Sequence, residues 1–199
     1  MNKRNDLLVD YVIENIKNRR TIKPDACNGA MIPDEEIWQI LECANWAPTH
    51  GYTEPWRFIV YKGKSKEDFA LAHAEMYKAA STEDSFKQVA YDKLINNAKG
   101  CSHIIALVNK RGTNPKIPEI EELQATAMAI QNMQLVASAM GYAAYIHSGG
   151  MTYKEEMRAY LGFEQEDKVL GFLYLGIPVL EQAPGRRVSN IQEKVLWKS

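Results

Sequence analysis

Asn45-Trp46-Ala47-Pro48-Thr49-His50-Gly51-Tyr52-Thr53-Glu54-Pro55-Trp56-Arg57-Phe58 is the stretch from which the fold is read. Pro48 disfavours helical geometry at Ala47, so an amphipathic helix must stop there. Gly51 and Pro55 punctuate the next seven residues. Phe58-Ile59-Val60-Tyr61 then has the β-branched and aromatic content of a strand. Between the two tryptophans lie hydroxyl, imidazole and carboxylate groups. Loops that carry such groups at the ends of rigid elements are frequent sites, although an ordinary helix-to-strand connection would look the same.

Upstream, the spacing predicts a helix from Asp6 to about Arg19, with Leu8, Val12 and Ile16 four apart. It runs into Arg19-Arg20-Thr21. Bases at a helix exit suit the macrodipole, and arginines there also suit an anion clamp. A second helix runs from about Pro33 to Trp46, with three acidic residues in its first turn. Downstream of the first strand, Ser65-x-x-Asp68 resembles a capping box opening a helix that carries Phe69, Ala72 and Met76. Ser81-Thr82 is read as the start of another helix that Gly100 ends. These two helices read as cover without chemistry, with His73 on the surface. Ile104 to Val108 is apolar without alternation, as in a strand buried on both faces.

The helix predicted from about Glu119 to Met140 is apolar nearly all round after its acidic start. Either it is a central core helix of one chain, or a partner subunit covers part of it. Tyr142 to Ile146 is a third strand, followed by the turn His147-Ser148-Gly149-Gly150. Thr152-x-x-Glu155 reads as a second capping box, and Val169 to Leu175 as a fourth strand. Strands alternating with helices give one α/β or α+β sandwich domain over residues 1–199, built on a small central sheet.

Composition narrows the function. A formal charge of −1 over 199 residues offers no general pull toward nucleic acid or an anionic membrane. Cys27, Cys43 and Cys101 are widely spaced and the four histidines have no ligand spacing, so no metal site is expected. No apolar run is long enough to span a bilayer, and a cytoplasmic location is expected. Walker-type, G-x-G-x-x-G and G-x-S-x-G motifs are missing. What remains is distributed: Arg19-Arg20-Thr21, Pro48-Thr49-His50, Ile146 to Gly150, and Arg186-Arg187.

In that order these pieces resemble the FMN-dependent nitroreductase family, especially its small single-domain members. Arg19-Arg20-Thr21 is similar to the family's Arg-Arg-Ser/Thr after the first helix. Ala47-Pro48 and Pro55-Trp56 are similar to its Ala-Pro loop and Pro-Trp strand entry. Gly141-Tyr142 ends the long helix as in the family, and Gly171 to Pro178 resembles its Gly-Phe-Leu-Tyr-Leu-Gly-x-Pro strand. The resemblance implies a nitroreductase-like fold: a central mixed sheet of about four to five strands flanked by helices, with the long apolar helix at a dimer interface.

It further implies a homodimer holding FMN between subunits, and an NAD(P)H oxidoreductase that passes electrons to a nitroaromatic, quinone or similar small acceptor. By position, Arg19, Arg20 and Thr21 should hold the phosphate and ribityl chain, joined by one of Arg186 and Arg187. Trp46, Pro48, Thr49 and His50 should border the flavin, with His50 reaching over from the second subunit. Ile146, His147, Ser148 and Gly149 should line the isoalloxazine. Hydride from NADH or NADPH leaves negative charge near flavin N1 and O2, for which Arg19 and His50 are the candidate donors. A backbone N–H of the Ser148-Gly149-Gly150 turn should face N5. No catalytic side chain is required, because the cofactor supplies the reactive atom. Tyr52 and Glu54 stand where the family often has Asn and Gln, and an ionised carboxylate cannot donate to a flavin oxygen. Two other readings are flavin fragmentation or reductive dehalogenation within the superfamily, and a flavin-free interaction domain on the same fold.

Overall fold

The computed structural model describes residues 4–180 and 184–198. Six helices and four strands follow in the order α1 (Asp6–Asn18), α2 (Asp34–Asn45), β1 (Trp56–Lys62), α3 (Gly63–Ala80), α4 (Gln88–Gly100), β2 (His103–Asn109), α5 (Glu119–Ala139), β3 (Ala143–His147), α6 (Glu155–Tyr160) and β4 (Lys168–Gly176). The strands form one sheet in the order β1-β2-β4-β3. Every neighbouring pair is antiparallel, so the expected mixed sheet is corrected to an antiparallel one among the described residues.

Helices nonetheless cover both faces. On one face Ile105, Leu107, Leu173 and Leu175 pack with Ile40 and Ala44 of α2 and with Ala129 and Met133 of α5. On the other, Ile104, Ala106, Val108, Phe172 and Tyr174 pack with Phe69 of α3, Ala98 at the end of α4 and Met157 of α6. Successive side chains of a strand point to opposite faces. All seven residues of β2 are therefore buried, which is why its sequence shows no polar alternation. The β2–β4 register shifts at Leu107/Val108, leaving Leu170 as an extra residue in β4. A Cβ on the adjacent Gly171 would lie 3.1 Å from the His147 carbonyl, so glycine is what admits the end of β3 here.

Local capping differs from the sequence reading in three places. In α3 the N-cap is Lys62, and Ser65 sits at the third helical position. Its Oγ accepts from the Lys62 N–H at 3.1 Å and donates to the Lys62 carbonyl at 2.8 Å. Ser81-Thr82 does not open α4, which begins only at Gln88. Thr82 instead closes a local turn, its N–H donating to Ser85 Oγ at 2.8 Å. Thr152 likewise caps no helix. It donates through Oγ1 to the Gly149 carbonyl at 2.7 Å and closes the turn after β3.

Two helices leave apolar surface uncovered. None of α1 is buried, and Leu8, Val12 and Ile16 are about half exposed. It touches α5 through Asn15, whose Nδ2 donates to the Leu135 carbonyl at 3.1 Å. α5 buries Ala125, Ala129, Met133 and Ala137 against the sheet. Its opposite stripe of Gln124, Ala127, Met128 and Gln131 is exposed. A groove of about 450 Å³ between the two helices is lined by Tyr11, Val12, Asn15 and Ala139, among others.

Candidate active site

The C-terminal end of α1 leads directly to the edge of the sheet. Arg19 is the C-cap of α1, its N–H donating to the Asn15 carbonyl at 2.9 Å. Three residues on, the Ile22 N–H donates to the Ala144 carbonyl of β3 at 3.3 Å, which pins the Arg19–Thr21 segment beside that strand. Nη1 of Arg19 is shielded from solvent and has no hydrogen-bond partner among the described residues. A buried guanidinium donor left unsatisfied is costly, and an anion is the partner that satisfies it most strongly. Arg20 lies alongside, its Nη1 donating to the carbonyls of Lys17 and Arg19 at 2.7 and 2.9 Å. The tail reaches the same point. A Cβ on Gly185 would fall 2.5 Å from Cζ of Arg20, and the exposed Arg186 and Arg187 follow at once.

From Ala144, β3 runs three residues to His147, about 10 Å at the rise of a strand. There the chain turns through Ser148, Gly149 and Gly150, all exposed. Ile146 and His147 are half-buried. The turn is held from beneath. The Met151 N–H donates to Nε2 of His73 at 2.9 Å, while Thr152 holds the Gly149 carbonyl. His73 is fully buried, at 0% exposure, which corrects the expectation of a surface residue. It stands four residues after Phe69 and one before Ala74, so it shares the inward face of α3.

His73 and His147 lie with ring centroids 6.3 Å apart. Burial pushes His73 down to about 4, helped by the neighbouring His147 and opposed by the Gly149 carbonyl. Burial, then the charge of Lys93, also lowers His147. Both imidazoles are thus neutral when folded and readily protonated when unfolded. The unfolded state binds more protons below the ordinary histidine value of about 6.5, so stability falls with pH there. The contribution should be complete above about pH 6.5 and lost as pH falls toward about 4. Denaturant melts at stepped pH test this, and a midpoint that does not drop across that window contradicts it.

Lys93 was not legible as a site residue, because α4 shows no motif around it. It lines a cleft of about 380 Å³ together with Lys23, Asp25 and Asn97. Among the described residues, Nδ2 of Asn97 is also buried without a partner.

The loop after α2 is elsewhere. Trp46 is 80% exposed, its Nε1 donating to Glu42 Oε1 at 2.9 Å. Pro48 is exposed, and half-buried Thr49 places Oγ1 3.1 Å from that of Thr53. His50 is exposed, with Nδ1 2.5 Å from Glu121 Oε2 in the first turn of α5. The Arg19 segment, by contrast, is tied near Leu135 through Asn15. Glu121 and Leu135 stand fourteen residues apart on one helix, about 21 Å along its axis. One chain therefore brings together Arg19, Arg20, Thr21, Ile146, His147, Ser148, Gly149, Arg186 and Arg187. It does not bring Trp46, Pro48, Thr49 and His50 to them. Glu54 is exposed, with φ +42°, and its carbonyl accepts from Arg57 Nη1 at 2.7 Å.

An antiparallel sheet between two helical layers, with an arginine-rich helix exit and a glycine turn on one edge strand, defines an α+β protein. The Nitroreductase family model matches residues 16–177, and the chain belongs to that family. It is 33% identical over 156 residues to the Escherichia coli (strain K12) protein named "Putative NAD(P)H nitroreductase YdjA", covering 78% of this chain and 83% of that one. The crystal structure of a nitroreductase-like family protein from Bacillus cereus superposes with a TM-score of 0.80 at 22% identity, covering 100% and 98% of the two chains. The FMN-dependent nitroreductase NfnB from Mycobacterium smegmatis, solved with NADPH, superposes at 0.71 with 19% identity, covering 96% and 100%. Among the described residues no helix is long and apolar enough to cross a membrane.

Proposed function

We propose that this protein is an FMN-dependent NAD(P)H oxidoreductase of the nitroreductase type, working as a cytoplasmic homodimer on a small electron acceptor. The observation that carries the reading is the buried Nη1 of Arg19, without a hydrogen-bond partner among the described residues, on a segment pinned at Ala144 of the strand that ends in an exposed glycine turn. The phosphate of FMN would satisfy Arg19, with Arg20 and the Arg186-Arg187 tail adding charge-assisted contacts. Bound FMN supplies the hydride chemistry. The protein's work is to hold, orient and polarise. Ser148, Gly149 and Gly150 offer main-chain N–H groups, and no side chain comes between them and solvent at the two glycines. Ile146 and His147 give the half-buried wall on which the flavin would rest.

This reading calls for a second copy of the chain. The loop carrying Trp46, Pro48, Thr49 and His50 lies at the opposite end of α5 from Arg19, so one chain holds two half-sites. Two α5 helices related by a two-fold axis perpendicular to them would run antiparallel and place each loop beside the partner's Arg19. The open stripe of Gln124, Ala127, Met128 and Gln131 is centred on the middle of α5 and has a small residue for close approach.

Reconstitution with FMN followed by stopped-flow reduction with NADH and with NADPH, then an acceptor panel, tests the activity. The expected result is a yellow protein bleached by at least one nucleotide and reoxidised by a nitroaromatic or quinone. A colourless protein that takes up no FMN would refute the reading and favour a flavin-free interaction domain.

A further inference from the structure

Gly149 and Gly150 are pressed from below by two imidazoles. A Cβ at Gly150 would lie 2.5 Å from Nε2 of His73, and one at Gly149 2.9 Å from Nε2 of His147. Gly150 also has φ +64°, a conformation that side chains disfavour. The Met151 N–H donates to His73 Nε2 at 2.9 Å. That bond requires a lone pair on Nε2, and hence a neutral ring with its proton on Nδ1. His73 comes from α3, whose Phe69 packs on Phe172, the register partner of His147.

We propose that His73 is a positioning residue: reaching from α3 beneath the sheet edge, it holds the Ser148–Met151 turn in the one conformation that presents its main-chain N–H groups to the cofactor. The part of this inference that concerns the cofactor rests on the FMN reading above; the anchoring of the turn does not. The anchor is one acceptor atom, so its chemistry predicts which substitutions preserve it. Glutamine offers an amide oxygen to the same N–H. Methionine fills similar space with a flexible apolar chain and a weak acceptor.

The test compares wild type, His73→Met and His73→Gln by two readouts. The first is hydrogen exchange across residues 148–152 in protein without flavin. Loss of the acceptor should lower protection of the Met151 amide about tenfold in His73→Met, with His73→Gln close to wild type. The second is the rate of flavin reduction by NADH or NADPH in the reconstituted enzyme, expected to fall about tenfold in His73→Met and to recover in His73→Gln. Unchanged exchange in His73→Met would overturn the anchor. Raised exchange with an undiminished reduction rate would overturn its role toward the cofactor. A wild-type protein that took up no FMN would fail the flavin reading, and the exchange result would still decide the anchor.

Should His73→Met not fold, acidification of the wild type removes the same acceptor, because a protonated Nε2 faces the Met151 N–H as a second donor. Around that ring lie Phe69 of α3, Phe172 of β4, His147 of β3 and the Gly149 carbonyl, with Lys93 of α4 acting on His147. Met151 protection, corrected for intrinsic exchange, should then fall as the pH approaches about 4. Protection that holds through that range would overturn the proposal.

Discussion

A Met128→Glu variant should sediment as a monomer and emerge from purification without flavin, although Met128 lies on none of the segments assigned to the cofactor. Met128 is 41% exposed in the single chain and sits one residue from the centre of α5. At an interface closed by a two-fold axis, the same substitution enters twice, from both copies. Burying an unpaired carboxylate costs several kcal/mol, about a thousandfold or more in the dimer equilibrium. The chain itself should still fold, because Met128 is 41% exposed and lies beside, not within, the Ala125–Ala129–Met133 seam packed on the sheet. Sedimentation velocity and flavin absorbance read both effects. A variant that stayed dimeric would place the interface elsewhere. A monomer that kept its flavin would contradict the shared site.

Arg19→Ala should leave the dimer intact and weaken FMN binding. Losing one charge-assisted contact to phosphate costs on the order of 1.5–3 kcal/mol, or roughly tenfold to 150-fold in the dissociation constant. The buried Nη1 that the truncation removes has no hydrogen bond to lose among the described residues. Stability without flavin should therefore not fall, since removing an unsatisfied buried donor relieves its cost, and the penalty should appear on ligand addition. Fluorescence titration with FMN measures it. An unchanged dissociation constant would remove Arg19 from the site.

Much of the fold was legible because its signals are local and strong. The α2 boundary at Asn45 follows from Pro48 and the acidic first turn, and α5 from a long apolar run closed by Gly141. The burial of β2 on both faces was also plain from its sequence, whereas strand direction was not. An antiparallel strand covered by helices on both sides has the same apolar content as a parallel one, and pairing is decided by partners distant in sequence. The misread caps have one cause. A hydroxyl at a helix start, at the third helical position or in a turn looks identical in sequence, and Ser65, Thr82 and Thr152 each took a role other than N-cap.

The candidate site divides in the same way. The arginines and the glycine turn were visible as motifs because each lies at the end of an element. His73 was missed as a buried anchor, although its four-residue spacing from Phe69 put it on the inward face of α3. Lys93 carried no signal at all, since its effect on His147 arises only when α4 folds against the sheet edge. That the loop at Trp46 to His50 and the arginines at Arg19 and Arg20 lie at opposite ends of one helix was beyond any local reading. It depends on how α1 and α5 pack.

Sedimentation velocity of the FMN-loaded protein, followed at the flavin absorbance, tests most directly whether two chains complete one site. Flavin travelling only with a species of twice 22.6 kDa is the predicted result. Flavin travelling with a single 22.6 kDa chain would contradict it.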